Sequence, residues 1–187
     1  MNDSHGLFLW FTGLSAAGKT TLFRAVEPEL RARGYRVRVL DAEQLRQTVS
    51  RDLGFTRADR DKNVARIASL ARNLVDHGHI VLVAAISPYA QARARAHAQI
   101  GKFLEVFVDA PLELCIRRDP KGLYANALLG ELPNFTGIDD PYEPPVAPDI
   151  HCNTAGEPLA DCVAKILIAV QTQTSSLVQQ ASGRALV

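Results

Sequence analysis

The stretch of sequence that most restricts the fold lies between residues 7 and 20. Five apolar residues, Leu7-Phe8-Leu9-Trp10-Phe11, run without interruption toward Gly13-Leu14-Ser15-Ala16-Ala17-Gly18-Lys19-Thr20. An apolar run of this length is typical of a strand that is buried on both faces of a parallel sheet. The segment after it has the spacing G-x-x-x-x-G-K-[ST], which predicts a glycine-rich turn between that strand and a helix.

This motif predicts a binding site for the phosphates of a nucleotide. Glycines allow backbone N–H groups to turn inward around an anion, and the N-terminus of the helix adds partial positive charge. We expect Lys19 to reach the β- and γ-phosphates and the Thr20 hydroxyl to bind Mg²⁺. The alternative is a strand-to-helix turn that contains a lysine by chance. The predicted nucleotide-binding residues are Gly13, Leu14, Ser15, Ala16, Ala17, Gly18, Lys19, Thr20 and Thr21.

The rest of the chain alternates short apolar runs with longer segments of helical periodicity. Strands are predicted near residues 7–11, 37–40, 80–85, 104–108 and 149–152, and helices near 19–33, 42–49 and 159–170, with another that begins at Thr56. Such alternation implies right-handed crossovers between parallel strands. The predicted fold class is therefore α/β: a three-layer P-loop NTPase-like fold with a mainly parallel five-stranded sheet and a mobile lid. The 187 residues are expected to form a single domain.

Two segments fit this core poorly. Residues 119–148 are rich in glycine, proline and aspartate, and an irregular excursion of that length in a compact domain is usually functional. We call residues 119–148 the lid segment. Residues 172–187 are mostly small and polar, so we expect a frayed or disordered tail.

Composition and charge exclude several classes of protein. The net charge of +1 and the scattered arginines favour neither nucleic acid nor an acidic membrane surface as a partner. No apolar run approaches the ~18 residues that a membrane span needs, and the first residues do not resemble a secretory leader. Three widely spaced cysteines are expected to be reduced thiols, which indicates a cytoplasmic location. The five histidines show no ligand spacing, so the only metal expected is the Mg²⁺ that accompanies a nucleotide.

The segment that begins at Thr56 places two polar side chains among apolar ones. Thr56-Arg57-Ala58-Asp59 is a capping-box pattern, so a helix should begin there. Arg60 and Asn63 lie on the apolar stripe of that helix. A buried polar side chain costs free energy unless it meets a ligand or a partner. Either the pair binds a substrate, or Arg60 forms a structural salt bridge with a nearby carboxylate.

Asp41 and Ser87 each follow a predicted strand, at the edge where such sheets bind ligands. Asp41 could hold Mg²⁺ through water or align an attacking hydroxyl, and it could also cap a helix. Ser87 precedes Pro88, a pattern that suits an N-cap serine with proline at the first helical position. That structural role stands beside a catalytic one.

The phosphate-binding motif is a poor match to GTPases, because no N-K-x-D segment is present and no D-x-x-G segment directly follows a strand. Several further blocks stand in a fixed order along the chain: Gly13 to Thr21, Leu53-Gly54-Phe55-Thr56 with Asp59-Arg60 and Asn63, Ile86-Ser87-Pro88-Tyr89, Glu105 to Glu113, Arg118-Asp119-Pro120-Lys121-Gly122-Leu123-Tyr124, and Phe135 to Glu143. Through these blocks the chain resembles the adenylyl-sulfate kinase (APS kinase) family, from about Leu9 to Val170.

The resemblance implies a reaction and a set of site residues. The family transfers the γ-phosphate of MgATP to the 3′-hydroxyl of adenosine 5′-phosphosulfate (APS), which gives PAPS. The implied catalytic residues are Lys19, Asp41, Glu43 and Ser87, with Thr20 and Asp41 at the metal. The implied substrate residues are Arg46, Phe55, Arg60, Asn63, Ile86, Ser87, Lys121, Phe135 and Ile138.

Individual roles also follow from the resemblance. Phe55 would stack on the adenine of APS, Arg46 would contact its phosphosulfate, and Lys121, Phe135 and Ile138 would close over both nucleotides. In bacterial members the serine that matches Ser87 is a phosphoserine intermediate, although direct in-line transfer needs none. Family members are commonly dimeric, which implies a homodimer.

The sequence departs from the family pattern in three segments. Asp41-Ala42-Glu43-Gln44 replaces D-G-D-N, so the second acid is longer by one methylene. The lid segment carries no basic residue from Ala125 to Asn134, where several are usual; Arg117 or Arg118 could substitute. Ala16-Ala17 replaces a pair that usually contains glycine, which is tolerable where both φ angles are negative.

These departures leave two other functions open. One is a kinase of the same fold that phosphorylates another nucleotide or a sugar-like alcohol. The other is a weakly active module that binds ATP or APS and regulates a partner such as ATP sulfurylase. The retained Lys19, Thr20, Asp41, Arg60, Asn63 and Lys121 favour an active enzyme.

Overall fold

A computed structural model describes the backbone of residues 6–184 and the side chains of residues 6–176. The elements are β1 (Leu7–Thr12), α1 (Lys19–Ala32), β2 (Val37–Leu40), α2 (Ala42–Gln47), α3 (Arg57–Asp76), β3 (Ile80–Ala84), α4 (Ala90–Ile100), β4 (Phe103–Asp109), α5 (Leu112–Arg118), α6 (Leu123–Leu128), β5 (Ile150–Asn153) and α7 (Leu159–Arg184). Each predicted strand is present, within two residues of the predicted bounds.

The five strands form one sheet in the order β2-β3-β1-β4-β5. Every pairing is parallel, and β1 lies at the centre between β3 and β4. All six residues of β1 are buried, as expected for a strand with helices on both of its faces. The predicted α/β class with a parallel five-stranded sheet is therefore confirmed.

Alternate residues of β1 belong to two different cores. Leu7, Leu9 and Phe11 pack with apolar residues of α1 and α7. Phe8 and Trp10 pack with α3 and α4 on the opposite face, where their rings also meet Phe103. Successive side chains of a strand point to opposite faces, so the uninterrupted apolar run fills both layers.

The lid segment contains more regular structure than the sequence predicted. Helix α6 occupies Leu123–Leu128, and the rings of Tyr124 and Phe135 are buried against each other at 5.0 Å between centroids. Gly122 is the N-cap of this helix and Gly130 follows its C-cap. The helix forms between them because its own sequence, LYANAL, contains neither glycine nor proline.

The prediction of a frayed tail from residue 172 is wrong over residues 172–184, where α7 continues to Arg184. The buried Thr174 explains part of the extension, since its hydroxyl lies 3.2 Å from the Tyr35 hydroxyl and bonds the Val170 carbonyl. Residues 185–187 lie outside the described part of the chain. Within residues 6–184 no helix has both the length and the apolar character needed to cross a membrane.

Candidate active site

The phosphate-binding turn lies at the carboxyl end of β1, and two of its glycines are required by geometry. Gly13 has φ 150°, and a Cβ there would lie 2.2 Å from the Val108 carbonyl oxygen. Gly18 has φ 103° and precedes the first residue of α1. A side chain at Gly13 would therefore push β1 away from β4, and an L-residue at Gly18 would be strained.

The expectation that Ala16 and Ala17 both have negative φ angles is wrong for Ala16. Its φ is 56°, in the left-handed region, whereas Ala17 is not among the described non-glycine residues with positive φ. An L-residue in this region costs about 1–2 kcal/mol. The turn therefore retains its shape at the cost of backbone strain at Ala16.

The Lys19 side chain is held inside the turn. Its ammonium donates hydrogen bonds to the carbonyl oxygens of Gly13 at 2.9 Å and Leu14 at 2.5 Å. Burial lowers the pKa of Lys19 from 10.5 to about 8. A buried ammonium in a glycine-rich turn before a helix is suited to the terminal phosphates of a nucleotide.

Residues far along the chain brace the same turn, and sequence reasoning did not assign them this role. The Tyr124 hydroxyl donates to the Ser15 carbonyl at 3.1 Å. The Thr154 hydroxyl donates to the Ala17 carbonyl at 2.7 Å, and Arg118 donates to the Thr154 carbonyl at 2.9 Å. Arg118, a predicted substitute for lid cations, thus lies at the phosphate turn. No local pattern signals contacts across such separations.

Asp41 caps helix α2, so its predicted structural role is confirmed. Its Oδ1 accepts hydrogen bonds from the backbone N–H groups of Glu43 and Gln44 at 2.9 and 3.1 Å. Both bonds are to the same oxygen, and the described residues make no hydrogen bond to Asp41 Oδ2. Thr20 is exposed in the first turn of α1. A hydroxyl and a carboxylate are oxygen donors of the kind that Mg²⁺ prefers, so both residues fit the predicted metal role.

Glu43 and Lys121 join α2 to the lid segment. The Lys121 ammonium donates to Glu43 Oε2 at 2.6 Å, although the two residues are 78 positions apart. Both side chains are more than half exposed. The acid that departs from the family pattern therefore contacts a lid residue predicted to bind substrate.

Three predicted substrate residues meet in one cluster. The Arg46 guanidinium lies 4.5 Å from the centroid of the Phe55 ring, and the Arg60 guanidinium lies 5.6 Å from it. The Phe55 side chain is half exposed. A flat exposed ring flanked by two cations suits an anionic ligand with an aromatic base.

Arg60 and Asn63 point inward from α3, as the sequence predicted, with 8% and 7% exposure. Arg60 donates to the carbonyls of Phe55 and Asn134, and it lies 3.7 Å from Asp140. The structural salt bridge proposed as an alternative is therefore present. Asn63 differs, because its Oδ1 is buried and has no hydrogen-bond partner among the described residues.

Ser87 does not cap a helix. Helix α4 begins at Ala90, and Tyr89 precedes it, so the prediction of an N-cap serine with Pro88 at the first helical position is wrong. The Ser87 hydroxyl is buried and accepts a hydrogen bond from the Trp10 indole at 2.7 Å. It donates to the Thr12 hydroxyl at 3.1 Å, and Thr12 donates to the Ile86 carbonyl at 2.7 Å.

Phe135 and Ile138 belong to the core on the α1 and α7 side rather than to an open flap. Phe135 is 7% exposed, and Ile138 is partly buried against the same core. Asp139 holds this part of the lid segment by accepting from the backbone N–H groups of Asn134 and Phe135. These bonds lower the pKa of the Asp139 carboxyl.

The carboxyl edge of the sheet therefore carries two features, one after β1 and one after β2. The turn around Lys19 can hold a polyphosphate, and the cluster of Arg46, Phe55 and Arg60 with Asn63 offers stacking, positive charge and an unpaired acceptor. The Glu43–Lys121 pair links α2 to the lid segment. This arrangement suits the transfer of a phosphoryl group between two nucleotides.

Comparison with known proteins gives the same result. Residues 5–153 match the family model described as adenylylsulphate kinase. The adenylyl-sulfate kinase of Synechococcus sp. (strain JA-3-3Ab) is 54% identical over 162 residues, which cover 87% of this chain and 92% of that protein.

Solved structures agree with the sequence comparison. The Mycobacterium tuberculosis APS kinase CysC in complex with AMPPNP and APS superposes with a TM-score of 0.84 at 44% identity, over 89% of this chain and 98% of that one. The hexameric APS kinase from Thiobacillus denitrificans has a TM-score of 0.69 at 31% identity, over 92% of this chain and 30% of that one. The chain therefore belongs to the adenylylsulphate kinase family and is an ATP-dependent kinase.

Proposed function

We propose that this chain transfers the γ-phosphate of ATP to the 3′-hydroxyl of APS, which gives PAPS, and that the two features at the carboxyl edge of the sheet bind the two nucleotides. The observation that carries the proposal is the position of the Lys19 turn and the Arg46–Phe55–Arg60 cluster at one edge of the sheet. The M. tuberculosis structure, which holds AMPPNP and APS together, supports a site for two nucleotides.

The nucleotide donor binds in the turn formed by residues 13–21. Lys19 exchanges its bonds to the Gly13 and Leu14 carbonyls for oxygens of the β- and γ-phosphates. Thr20 and Asp41 would hold Mg²⁺, and the bound ion would neutralise charge on the transferred group. Arg118 and Tyr124 keep the turn in place through Thr154 and Ser15.

The acceptor APS binds at the half-exposed Phe55 ring. Its adenine stacks on Phe55, and its phosphosulfate lies between the guanidinium groups of Arg46 and Arg60. Asn63 Oδ1, which is buried without a partner among the described residues, accepts from a ligand N–H or O–H. Ile86, Ile138 and Phe135 shape the apolar wall, and Lys121 adds a further cation.

Transfer proceeds in line and in a single step. The 3′-oxygen of APS forms a bond to the γ-phosphorus while the bond from that phosphorus to the β,γ-bridging oxygen breaks. Glu43 orients the hydroxyl and accepts its proton, and Asp41 supports Glu43 by accepting a hydrogen bond from its backbone N–H. This step needs no phosphoserine intermediate, and the Ser87 hydroxyl is buried and hydrogen bonded to Trp10 and Thr12.

The lid segment protects the reaction by excluding water when both nucleotides are bound. We infer that residues 128–131 provide the movement, because Leu128 and Leu129 are exposed, whereas Tyr124 before them is buried and bonded to the phosphate turn. The free thiols of Cys115, Cys152 and Cys162 support a reducing, cytoplasmic location. A homodimer and coupling to ATP sulfurylase are further proposals, and the hexameric neighbour supports assembly in general.

A steady-state assay tests the function. Purified protein is incubated with MgATP and APS, and ADP and PAPS are both measured, beside Lys19→Met as a matched blank. PAPS formed at micromolar APS and abolished in the variant supports the proposal. ATP binding without PAPS would refute it, and other nucleotides and sugar-like alcohols would then be tested as acceptors. If the chain makes no PAPS itself but increases the activity of a partner enzyme such as ATP sulfurylase, it would be a regulatory module.

A further inference from the structure

One segment that carries predicted APS contacts and another that directly follows such contacts meet at one buried arginine. The substrate loop, residues 86–89, follows β3 and carries Ile86. The lid root, residues 140–143, closes the part of the lid segment that carries Phe135 and Ile138. Arg93 of α4, which is 3% exposed, lies between these two segments.

The guanidinium of Arg93 uses all three of its nitrogens. Its Nη1 donates to the Ser87 carbonyl, its Nη2 donates to the Glu143 carbonyl, and its Nε donates to Glu105 Oε1, each at 2.7 Å. Glu105 is itself only 19% exposed and belongs to β4. The arginine is therefore fixed to the sheet through Glu105, and it binds one carbonyl of the substrate loop and one of the lid root.

Further bonds fasten the two segments directly to each other. The Glu143 backbone N–H donates to the Pro88 carbonyl at 2.8 Å. Glu143 Oε2 accepts from the Ala90 N–H at 2.7 Å, and the Tyr89 hydroxyl donates to Asp140 Oδ1 at 2.7 Å. Asp140 also lies 3.7 Å from Arg60. The lid root is thus attached to the loop and, through Asp140, to a predicted APS-binding arginine.

The conformation held by Arg93 is strained. Ser87 has φ 42°, and a non-glycine residue stays in this region only where its surroundings impose it. Arg93 fixes the Ser87 carbonyl, while Trp10 and Thr12 fix the hydroxyl. Releasing the carbonyl would let the peptide after Ser87 relax, and the lid root bonded beside it would lose its reference position.

We propose that Arg93 is a positioning residue that presets the APS subsite by fixing the substrate loop and the lid root to each other. The proposal rests on the proposed function, because it assigns these two segments to APS rather than to ATP. Arg93 does not contact the phosphate turn through any of its hydrogen bonds. Its loss therefore affects the two substrates unequally.

The test compares Arg93→Met and Arg93→Lys with Arg95→Met, a control on the exposed face of the same helix. KM for APS, KM for MgATP and kcat are measured, and APS binding is measured separately by titration calorimetry. Loss of charge-assisted contacts predicts that Arg93→Met raises KM for APS about 10–100-fold, with KM for MgATP changed less than about twofold. Arg93→Lys restores part of the loss, and Arg95→Met matches the wild type.

Equal increases in both KM values, or a lower active fraction with both KM values unchanged, would overturn the proposal and leave Arg93 a purely structural residue. If Arg93→Met does not fold, Tyr89→Phe removes a single bond between the same segments and must raise KM for APS selectively. Calorimetry separates the two proposals. A wild type that binds APS without making PAPS contradicts the proposed function, while the Arg93 variants still decide the positioning role by their APS affinity.

Discussion

Replacing Ala16 by glycine should stabilise the protein, although it deletes a side chain. Ala16 has φ 56° in the phosphate turn, where an L-residue costs about 1–2 kcal/mol. Glycine removes that cost but loses more backbone freedom on folding, about 0.5–1 kcal/mol. The difference is a net gain of about 0–1.5 kcal/mol, which for a chain of this size raises Tm by up to about 6 °C.

The neighbouring alanine provides a control of opposite sign. Ala17 has no positive φ and is fully buried, so Ala17→Gly loses a packed methyl worth about 0.8 kcal/mol and adds the entropy cost of glycine. Its Tm should fall by about 2–8 °C. Thermal unfolding of both variants, followed by circular dichroism, measures the two shifts. Destabilisation of both variants would show that Ala16 is not strained and would refute the reasoning.

Three further predictions concern the site. Lys19→Met should abolish PAPS formation yet raise Tm at pH 7, because burial lowers the pKa of Lys19 to about 8. Between about pH 8 and 10.5 the unfolded chain binds more protons than the native chain, so the stability of the wild type rises over that window. The difference in Tm between the Lys19→Met variant and the wild type should therefore narrow as the pH rises. A difference that stays constant over this window would contradict the prediction. Glu43→Gln or Lys121→Met removes an exposed ion pair worth about 0–1 kcal/mol, so Tm should stay within about 4 °C while kcat/KM for APS falls. Lys62→Met, at an exposed position of α3, is the control with a matched Tm. An equal loss of kcat/KM for APS in that control would argue against a specific role for Glu43 and Lys121. Asn63→Leu removes a buried oxygen without a described partner and should raise KM for APS at least about tenfold while raising Tm, since an unpaired polar atom costs about 1–3 kcal/mol; a lower Tm would show that the oxygen is paired inside the protein.

Local patterns were sufficient where a residue's neighbours in sequence decide its conformation. The Thr56 capping box was predicted, and the Thr56 hydroxyl accepts from the Asp59 N–H at 3.2 Å. The inward orientation of Arg60 and Asn63 follows from helical periodicity on α3, which the burial of both side chains confirms. The same local reasoning overextended at Ser87, where a following proline was taken to begin a helix that instead begins at Ala90.

The sequence by itself determined the buried central strand, the glycine-rich turn before α1, the parallel sheet and the membership of a kinase family. Periodicity and steric limits on the backbone act over a few residues, so these features are visible without the fold. Only the tertiary structure decided that Glu43 meets Lys121, that Arg118 braces the phosphate turn, that Ala16 is strained, and that Arg93 joins Ser87 to Glu143. Apart from the strain, these are contacts between residues distant along the chain. They form because parallel crossovers bring the carboxyl ends of separate strands to one edge of the sheet.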